Sequence, residues 1–414
     1  MAHPLSHIRV LDLSRVLAGP WAGQYLADFG AEVIKIERPG TGDDTRGWGP
    51  PFALEPTADD PGLSAYFLCT NRGKRSVALD LASAEGQALV RRLAEKCDVV
   101  IENYKVGGLA KYGLDYQSLK AVNPGVVYCS ITGFGQTGPY AERAGYDFLV
   151  QGMGGLMSVT GEPDAAAGEA PKGGPVKVGV AIADQVTGLN ALAAILAALV
   201  RRERTGEGDY IDVALLDCTV SALVNQGSTH LVDGSVPVRM GNAHPTVVPY
   251  QAFATADGHI ILAVGNDGQF QRFCRVAGRT DLAEDARYRT NALRIVNRQT
   301  LIPEMEQTIA ARASADWIAA LEAASVPCGP INTIDQVFAD PQVRHRGMRR
   351  VLAHPTAGPL AVTANPIHMA SGDTTAAKAP PRLGEDTRSV LADVLGLAAE
   401  EIDGLVTRQV VETR

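Results

Sequence analysis

One stretch constrains this chain more than any other: VGVAIADQVTGLNALAAILAALV, residues 178–200, an apolar run with a single acid, Asp184, at its turning point. The residues before Asp184 are small or β-branched, and those after it are rich in Ala and Leu, which favour helix. The chain is therefore expected to enter as an extended segment and leave as a buried helix, with Asp184 near the helix N-terminus. An acid there has two readings. It can cap the helix by accepting backbone N–H bonds, a contribution of about 1 kcal/mol. It can also be a catalytic carboxylate, kept anionic by the helix dipole and by a shortage of competing partners. The rest of the chain has to decide between them.

With 414 residues the chain exceeds what one hydrophobic core organises, so two domains are expected. A hydrophobic share of 46% and a charged share of 20% suit a globular protein rather than a disordered one. A net charge of −8 argues against a nucleic-acid partner. The basic cluster Arg201, Arg202 and Arg204 follows the apolar helix, where cations suit its C-terminal dipole. Cys69, Cys97, Cys129, Cys218, Cys274 and Cys328 are scattered, without CxxC or Cys/His spacing, so neither a metal site nor a disulfide framework is expected. A cytoplasmic location fits that cysteine usage. No secretory h-region is visible, and the apolar runs fall short of the ~20 residues that span a bilayer, so no membrane partner is expected.

Taken in order, Ile8–Leu13 reads as a strand, Ser14–Pro20 as a turn, Trp21–Gly30 as a helix and Glu32–Glu37 as a second strand. The pair is expected to be parallel, with a right-handed crossover. Arg38–Phe52 is a Gly- and Pro-rich loop at a strand end, where open α/β sheets place ligands. Strands at Ser76–Leu81, Asp98–Glu102 and Val126–Ile131 alternate with helices at Ser83–Cys97 and Leu114–Val122. This alternation predicts an α/β fold with a doubly wound sheet. TGFGQTGP (132–139) holds a literal G-x-G-x-x-G, but Pro139 follows at once and no acid closes a second strand at the right distance. A Gly-rich loop that lets a ligand approach the backbone fits better than a dinucleotide fingerprint. Gly161–Gly174 reads as a mobile surface loop, Tyr210–Leu216 as a strand and Asp217–Leu231 as a helix. From about Asp233 short strands (Val247–Ala254, His259–Val264) and a helical pattern over Leu301–Ala324 predict a smaller α+β domain. The boundaries drawn are 1–225, 226–330 and 331–414, the last segment returning to the large domain.

Several stretches together resemble the class III CoA-transferase family, the CaiB/BaiF type that includes formyl-CoA transferase. They are RVLAGP (15–20), GAEVIKIERPGTGDDTR (30–46), NRGKRSVALDL (71–81), DVVIENY (98–104), SITGFGQTGP (130–139), RAGYD (143–147), VGVAIADQVTG (178–188), VPCGPINT (326–333) and RLGEDT (382–387). They span nearly the whole chain. GDDTRGWGPP and GNAHPTVVPYQAF (241–253) are most similar to the succinyl-CoA:glutarate and hydroxymethylglutarate branch. The resemblance implies a Rossmann-like large domain built from both chain ends, a smaller inserted domain, and an interlocked homodimer.

It also implies a nucleophile, Asp184, and a reaction that moves CoA between carboxylic acids. A carboxylate is already anionic at neutral pH and needs no base, so no tightly bound cofactor is expected; coenzyme A enters as acyl-CoA substrate. By resemblance the CoA contacts fall on Leu17, Ala18, Arg38, Asn103, Tyr104, Lys105, Lys111 and Tyr146. Read alone, Arg38 would be a solvated surface arginine. Gly265, Gly268 and the TGFGQTG loop are candidate N–H donors to tetrahedral intermediates, with plain turns as the alternative. Leu17 stands where formyl-CoA transferase has Gln, which turns the reading from formyl or oxalyl groups toward a dicarboxylic acceptor. Arg46 and His244 are the cations expected to meet its distal carboxylate, Arg through bidentate pairing. The competing reading is an α-methylacyl-CoA racemase of the same fold, which needs a base–acid pair about the α-carbon. The racemase pattern has His where this chain has Tyr146, and a phenol is a poor substitute near neutral pH.

Overall fold

The structure, a computed structural model, describes residues 3–165, 173–370 and 372–414. Of the Gly161–Gly174 loop, residues 166–172 lie outside the described residues. The chain forms two compact units: Met1–Leu156 with Lys177–Gly234 and Pro341–Arg414, and Met157–Val176 with Ser235–Asp340. The inserted unit thus begins and ends later than the expected 226 and 330, and it also takes a segment from before the long apolar helix.

The first unit is built on strands β1 (Arg9–Asp12), β2 (Glu32–Glu37), β3 (Lys74–Leu79), β4 (Val99–Glu102), β5 (Val127–Thr132), β6 (Asp209–Ala214) and β7 (Val411–Glu412). Their order across the sheet is β7-β3-β2-β1-β4-β5-β6. All neighbours are parallel except β7, which pairs antiparallel with β3, Val411 opposite Leu79. The chain works outward from β1 on one side, returns, and works outward from β4 on the other. The crevice beyond the carboxyl ends of β1 and β4 is where such a sheet places ligands.

Alternate residues feed two layers, as the twofold strand period requires. Val10, Val33, Val99 and Val127 pack with helices α1 (Ala18–Asp28) and α5 (Ile182–Thr205). Leu11, Ile34, Val100 and Tyr128 face the other way, against α2 (Ala84–Ala94), α3 (Tyr116–Val122), α7 (Thr387–Leu395) and α8 (Ala399–Thr407). The C-terminal segment is tied to β3 by Asp386, which accepts the Ser76 N–H at 2.9 Å. Helices α4 (Asp147–Met153) and α6 (Leu215–Ser221) complete the set used below.

α1 begins at Ala18, earlier than the expected Trp21, so Pro20 falls in its first turn, where the missing N–H costs nothing. The helix expected over 217–231 is two pieces, α6 and Val224–Asp233, separated where Val224 takes a φ of 39°. α5 has 24 residues and is, by length and composition alone, long and apolar enough to cross a membrane, contrary to the expected shortfall. Its buried side, including Ala191, Ile195 and Ala198, packs in the core shared with α1. Gly188 sets that contact: a Cβ there would stand 2.7 Å from the Ala18 carbonyl oxygen. Close approach fixes where the second turn of α5 lies relative to the start of α1.

The second unit carries an antiparallel three-stranded sheet, Tyr250–Ala254, His259–Ala263 and Cys328–Pro330, with His259–Ala263 in the centre. Helices bury Phe253, Ile260, Phe270 and Trp317 against it. The helix expected over 301–324 is two, Arg298–Ala310 and Ser314–Ala323.

Candidate active site

A cleft of about 650 Å³ opens beyond the carboxyl ends of β1, β4, β5 and β6. The β1–α1 turn gives it Leu17 and Ala18, the segment after β4 gives Asn103, Tyr104, Lys105 and Lys111, the start of α4 gives Tyr146, and α5 gives Asp184. Nine of the residues singled out from the sequence thus bear on one place if Arg38 is counted. Arg38 does not line the cleft; it is exposed at the end of β2, near enough for its charge to bear on the Tyr104 phenol.

The walls are locked by polar contacts. Asn103 accepts the Arg15 N–H at 2.9 Å and donates to the Arg15 carbonyl at 2.7 Å, joining the turn after β1 to the turn after β4. The next residue, Val16, has φ 71°, a conformation unusual for a β-branched residue. Its N–H is received by the Asp43 carboxylate at 3.3 Å. Burial opposes the ionisation of Asp43, yet the Lys35 ammonium at 2.9 Å outweighs it and holds the carboxyl down to about 2. Buried charge beneath the cleft thus holds a strained turn at its edge.

Asp184 does not cap its helix. The N-cap position is Ala181, and Asp184 is the third residue of α5. The acceptor is Asp147, whose Oδ1 receives the N–H groups of Ala183 at 2.8 Å and Asp184 at 3.4 Å. Asp147 Oδ2 accepts from Gln151 Nε2 at 2.7 Å, and Gln151 Oε1 in turn accepts the Val178 N–H at 2.8 Å. The Asp184 carboxyl faces the cleft with no hydrogen-bond partner among the described residues. The expectation of a ready anion is corrected here: burial, and after it the Asp147 charge, push Asp184 up to about 7. Tyr66 lies close by; burial, then Asp184, push its phenol up to about 12.

Four cations line the cleft: Arg15, Lys105, Lys111 and Arg143. Arg15 is paired with Asp44 at 2.7 Å. Arg143 lies over the Tyr140 ring, its guanidinium carbon 4.6 Å from the centroid, and Lys111 over Tyr112 at 4.6 Å.

Arg46 is not among them, and its expected role is corrected. It is wholly buried, its Nε and Nη2 bound to the two Glu37 oxygens at 2.7 Å, with the Phe67 ring 3.8 Å from its guanidinium carbon. Its Nη1 has no hydrogen-bond partner among the described residues but is buried, and Arg46 does not line the cleft. His244, Gly265 and Gly268 lie in the second unit. There the His244 ring accepts the Thr246 N–H at 3.1 Å, and the Gly265 N–H is already taken by Gln269 Oε1 at 2.6 Å. The TGFG loop also departs from its reading. Gly133 lines the cleft, but a Cβ there would stand 2.5 Å from Gly145 Cα, so this glycine serves a chain crossing, while Gly135 and Gly138 take positive φ as turn residues do. Sequence reasoning missed Asp147, Tyr66 and Arg143 as site residues; for Asp147 the signal was its place in the quoted RAGYD stretch. Among the described residues no group of three or more His, Cys, Asp and Glu could hold a metal ion.

Comparison with known proteins agrees across the chain. The family described as CoA-transferase family III matches residues 5–387. Succinate–glutarate CoA-transferase of Agrobacterium fabrum is 52% identical over 396 residues, covering 94% of this chain and 96% of that protein. Succinyl-CoA:glutarate CoA-transferase of Mus musculus is 42% identical, covering 99% of this chain and 90% of the relative. The crystal structure of a CaiB/BaiF family protein from Brucella suis superposes with a TM-score of 0.83 at 48% identity, covering 95% of this chain and all of that one, 100%.

Proposed function

The chain belongs to CoA-transferase family III, and from that premise we propose that it moves coenzyme A from succinyl-CoA to a second dicarboxylic acid, glutarate foremost, through a thioester on Asp184. The observation that carries the reading is Asp184 itself: a carboxyl presented to a cleft with four cations, with no hydrogen-bond partner of its own among the described residues.

The reaction follows from those parts. An ionised Asp184 oxygen attacks the thioester carbon; the C–S bond breaks, giving a mixed anhydride and CoA thiolate. The thiolate attacks the Asp184 carbonyl carbon, the anhydride C–O bond breaks, and the donor acid leaves as its carboxylate. The acceptor carboxylate then repeats both steps in reverse. Lys105, Lys111, Arg143 and the exposed Arg38 supply positive charge for the phosphates of CoA, which an acidic chain must gather locally. The N–H groups at the start of α1, at Leu17 and Ala18, have no hydrogen-bond partner among the described residues and suit an anion in the same place. For His244, Gly265 and Gly268 a part in holding the acid rests on the resemblance alone.

The same reading takes the sheet as Rossmann-like and the active molecule as an interlocked cytoplasmic homodimer. Exposed apolar side chains in the first unit support a covered face: Phe148 at 61%, Val224 at 67% and Leu231 at 85%. Relatives named as CoA-transferases, and Tyr146 in place of an imidazole, count against racemisation.

The test mixes the protein with succinyl-CoA and a panel of dicarboxylic acids and follows acyl exchange by mass spectrometry, with hydroxylamine trapping and peptide mapping. Transfer to glutarate and a hydroxamate on the Asp184 peptide are expected. A label on another peptide, or α-proton exchange without transfer, refutes the proposal.

A further inference from the structure

The acid that holds the start of α5 is also the group whose charge bears on the nucleophile. Asp147 Oδ1 takes the Ala183 and Asp184 N–H groups, so the Asp184 side chain is released from capping and left to the cleft. Through Gln151 the same carboxylate also fixes Val178, so both the approach to α5 and its first turn hang on α4. A neutral acceptor, Ser or Asn, performs ordinary capping equally well. Placing an anion beside another carboxyl has an electrostatic cost that a cap alone does not explain.

We propose that Asp147 is a positioning residue for the nucleophile: it turns the Asp184 carboxyl toward the cleft and, by its charge, disfavours the free Asp184 anion against the uncharged anhydride and thioester. The proposal rests on the transfer chemistry above. In both covalent forms the Asp184 oxygen or carbon is bonded to substrate or to CoA sulfur and carries no charge, so the repulsion exists in the free enzyme and vanishes in the intermediates. The effect is differential, as an effect on reactivity has to be.

Other ionisable groups face the same space. Tyr66 stands on its short helix, Arg15 and Asp44 on the turns after β1 and β2, Lys105 and Lys111 after β4, and Glu142 and Arg143 before α4. Burial comes first in setting the Asp184 carboxyl, and Asp147 is the charge that adds to it.

The experiment compares the wild-type chain with Asp147→Asn, which keeps an oxygen acceptor without the charge, and Asp147→Glu, which keeps the charge. Two quantities are read in the full-length protein: the equilibrium fraction carrying CoA on Asp184 after mixing with succinyl-CoA, by intact-mass spectrometry, and the acid limb of the rate–pH profile. In the wild type the limb should lie near 7. In Asp147→Asn it should move down by about one pH unit, and the fraction bound as thioester should fall about tenfold relative to free enzyme. Asp147→Glu should keep both near wild type. Asp147→Ser replaces the amide variant if that chain does not fold. An unchanged limb and unchanged occupancy in the neutral variant, or equal shifts in the neutral and the Glu variants, overturn the inference while leaving the transferase reading intact. Absence of any adduct on wild-type Asp184 overturns both.

Discussion

Two groups of buried acids lie close together in the first unit, and they are treated in opposite ways. Beneath the cleft Asp12, Glu37 and Asp43 are each matched by a buried cation, Lys74 at 2.8 Å, Arg46 at 2.7 Å and Lys35 at 2.9 Å, and Asp28, at the far end of α1, is matched in the same way by Arg72. Burial works against the charge of Asp12, Glu37 and Asp43, but their partners win and hold all three below the usual range. At the cleft Asp184 has no cation partner among the described residues and a like charge beside it, and burial wins. Depth alone does not separate the groups, since Asp184, though only half-buried at the cleft, is desolvated as well. Pairing does. The paired acids make a floor in which Asp43 holds the Val16 N–H and with it the turn; the unpaired one is left reactive.

The sharpest way to break the comparison is to remove the unpaired acid. Asp184→Asn keeps the shape and loses the nucleophile, so transfer should fall by about 10³-fold or more while the fold persists. Circular dichroism together with the acyl-exchange assay checks both halves, and full turnover in the amide variant would place the chemistry elsewhere.

Removing a cation from the floor should do the reverse, damaging the fold first. Arg46→Ala leaves Glu37 buried beside Ser76 with its guanidinium partner gone. Breaking a buried pair in this way costs about 3–5 kcal/mol. Urea unfolding should show that loss, and in whatever fraction stays folded at low temperature the apparent affinity for the acceptor acid should be unchanged. A selective loss of acceptor affinity at full stability would restore Arg46 to the cleft.

That pair also shows what the sequence could and could not disclose. Local patterns were readable: β2 falls on Glu32–Glu37 as expected, and the apolar run after Asp184 is a helix. The residues after strand ends were named through the family resemblance, and the structure brings Leu17, Ala18, Asn103, Tyr104, Lys105 and Lys111 to one cleft. Arg46 was misread because RPGTGDDTRGWG has the composition of an exposed loop. The loop instead folds back so that Arg46 meets Glu37 at the end of the preceding strand, with Phe67 on its face. The capping of α5 was hidden for a similar reason: its acceptor lies 36 residues upstream, beyond any local rule. The ionisation of Asp184 depends on that same distant residue, so a reading confined to the helix start was bound to expect an ordinary anion.

Glu102 offers the mildest test of the contrast, because it is unpaired yet lies behind the cleft wall. It accepts from the Ser130 hydroxyl and from the Tyr104 N–H at 2.7 Å, with no cation partner among the described residues, and burial pushes it up to about 7. Its folded value thus exceeds the unfolded one. Between roughly pH 4 and 7 the unfolded chain gives up the proton while the folded chain keeps it, so this group lowers stability as pH rises through that window. The paired acids below the cleft act the other way: their stabilisation is present above the unfolded value and is lost as pH falls through the folded one. Glu102→Gln keeps an acceptor for the Tyr104 N–H, turns a donor toward the Ser130 hydroxyl, which can accept it, and never ionises. It should therefore raise the unfolding free energy at pH 8 by about 1–3 kcal/mol and leave it nearly unchanged at pH 4. Thermal melts of the two chains across that range measure the difference. A gain that is the same at both pH values would mean that Glu102 is not the titrating group, and that lack of a cation partner does not by itself separate the two sets of acids.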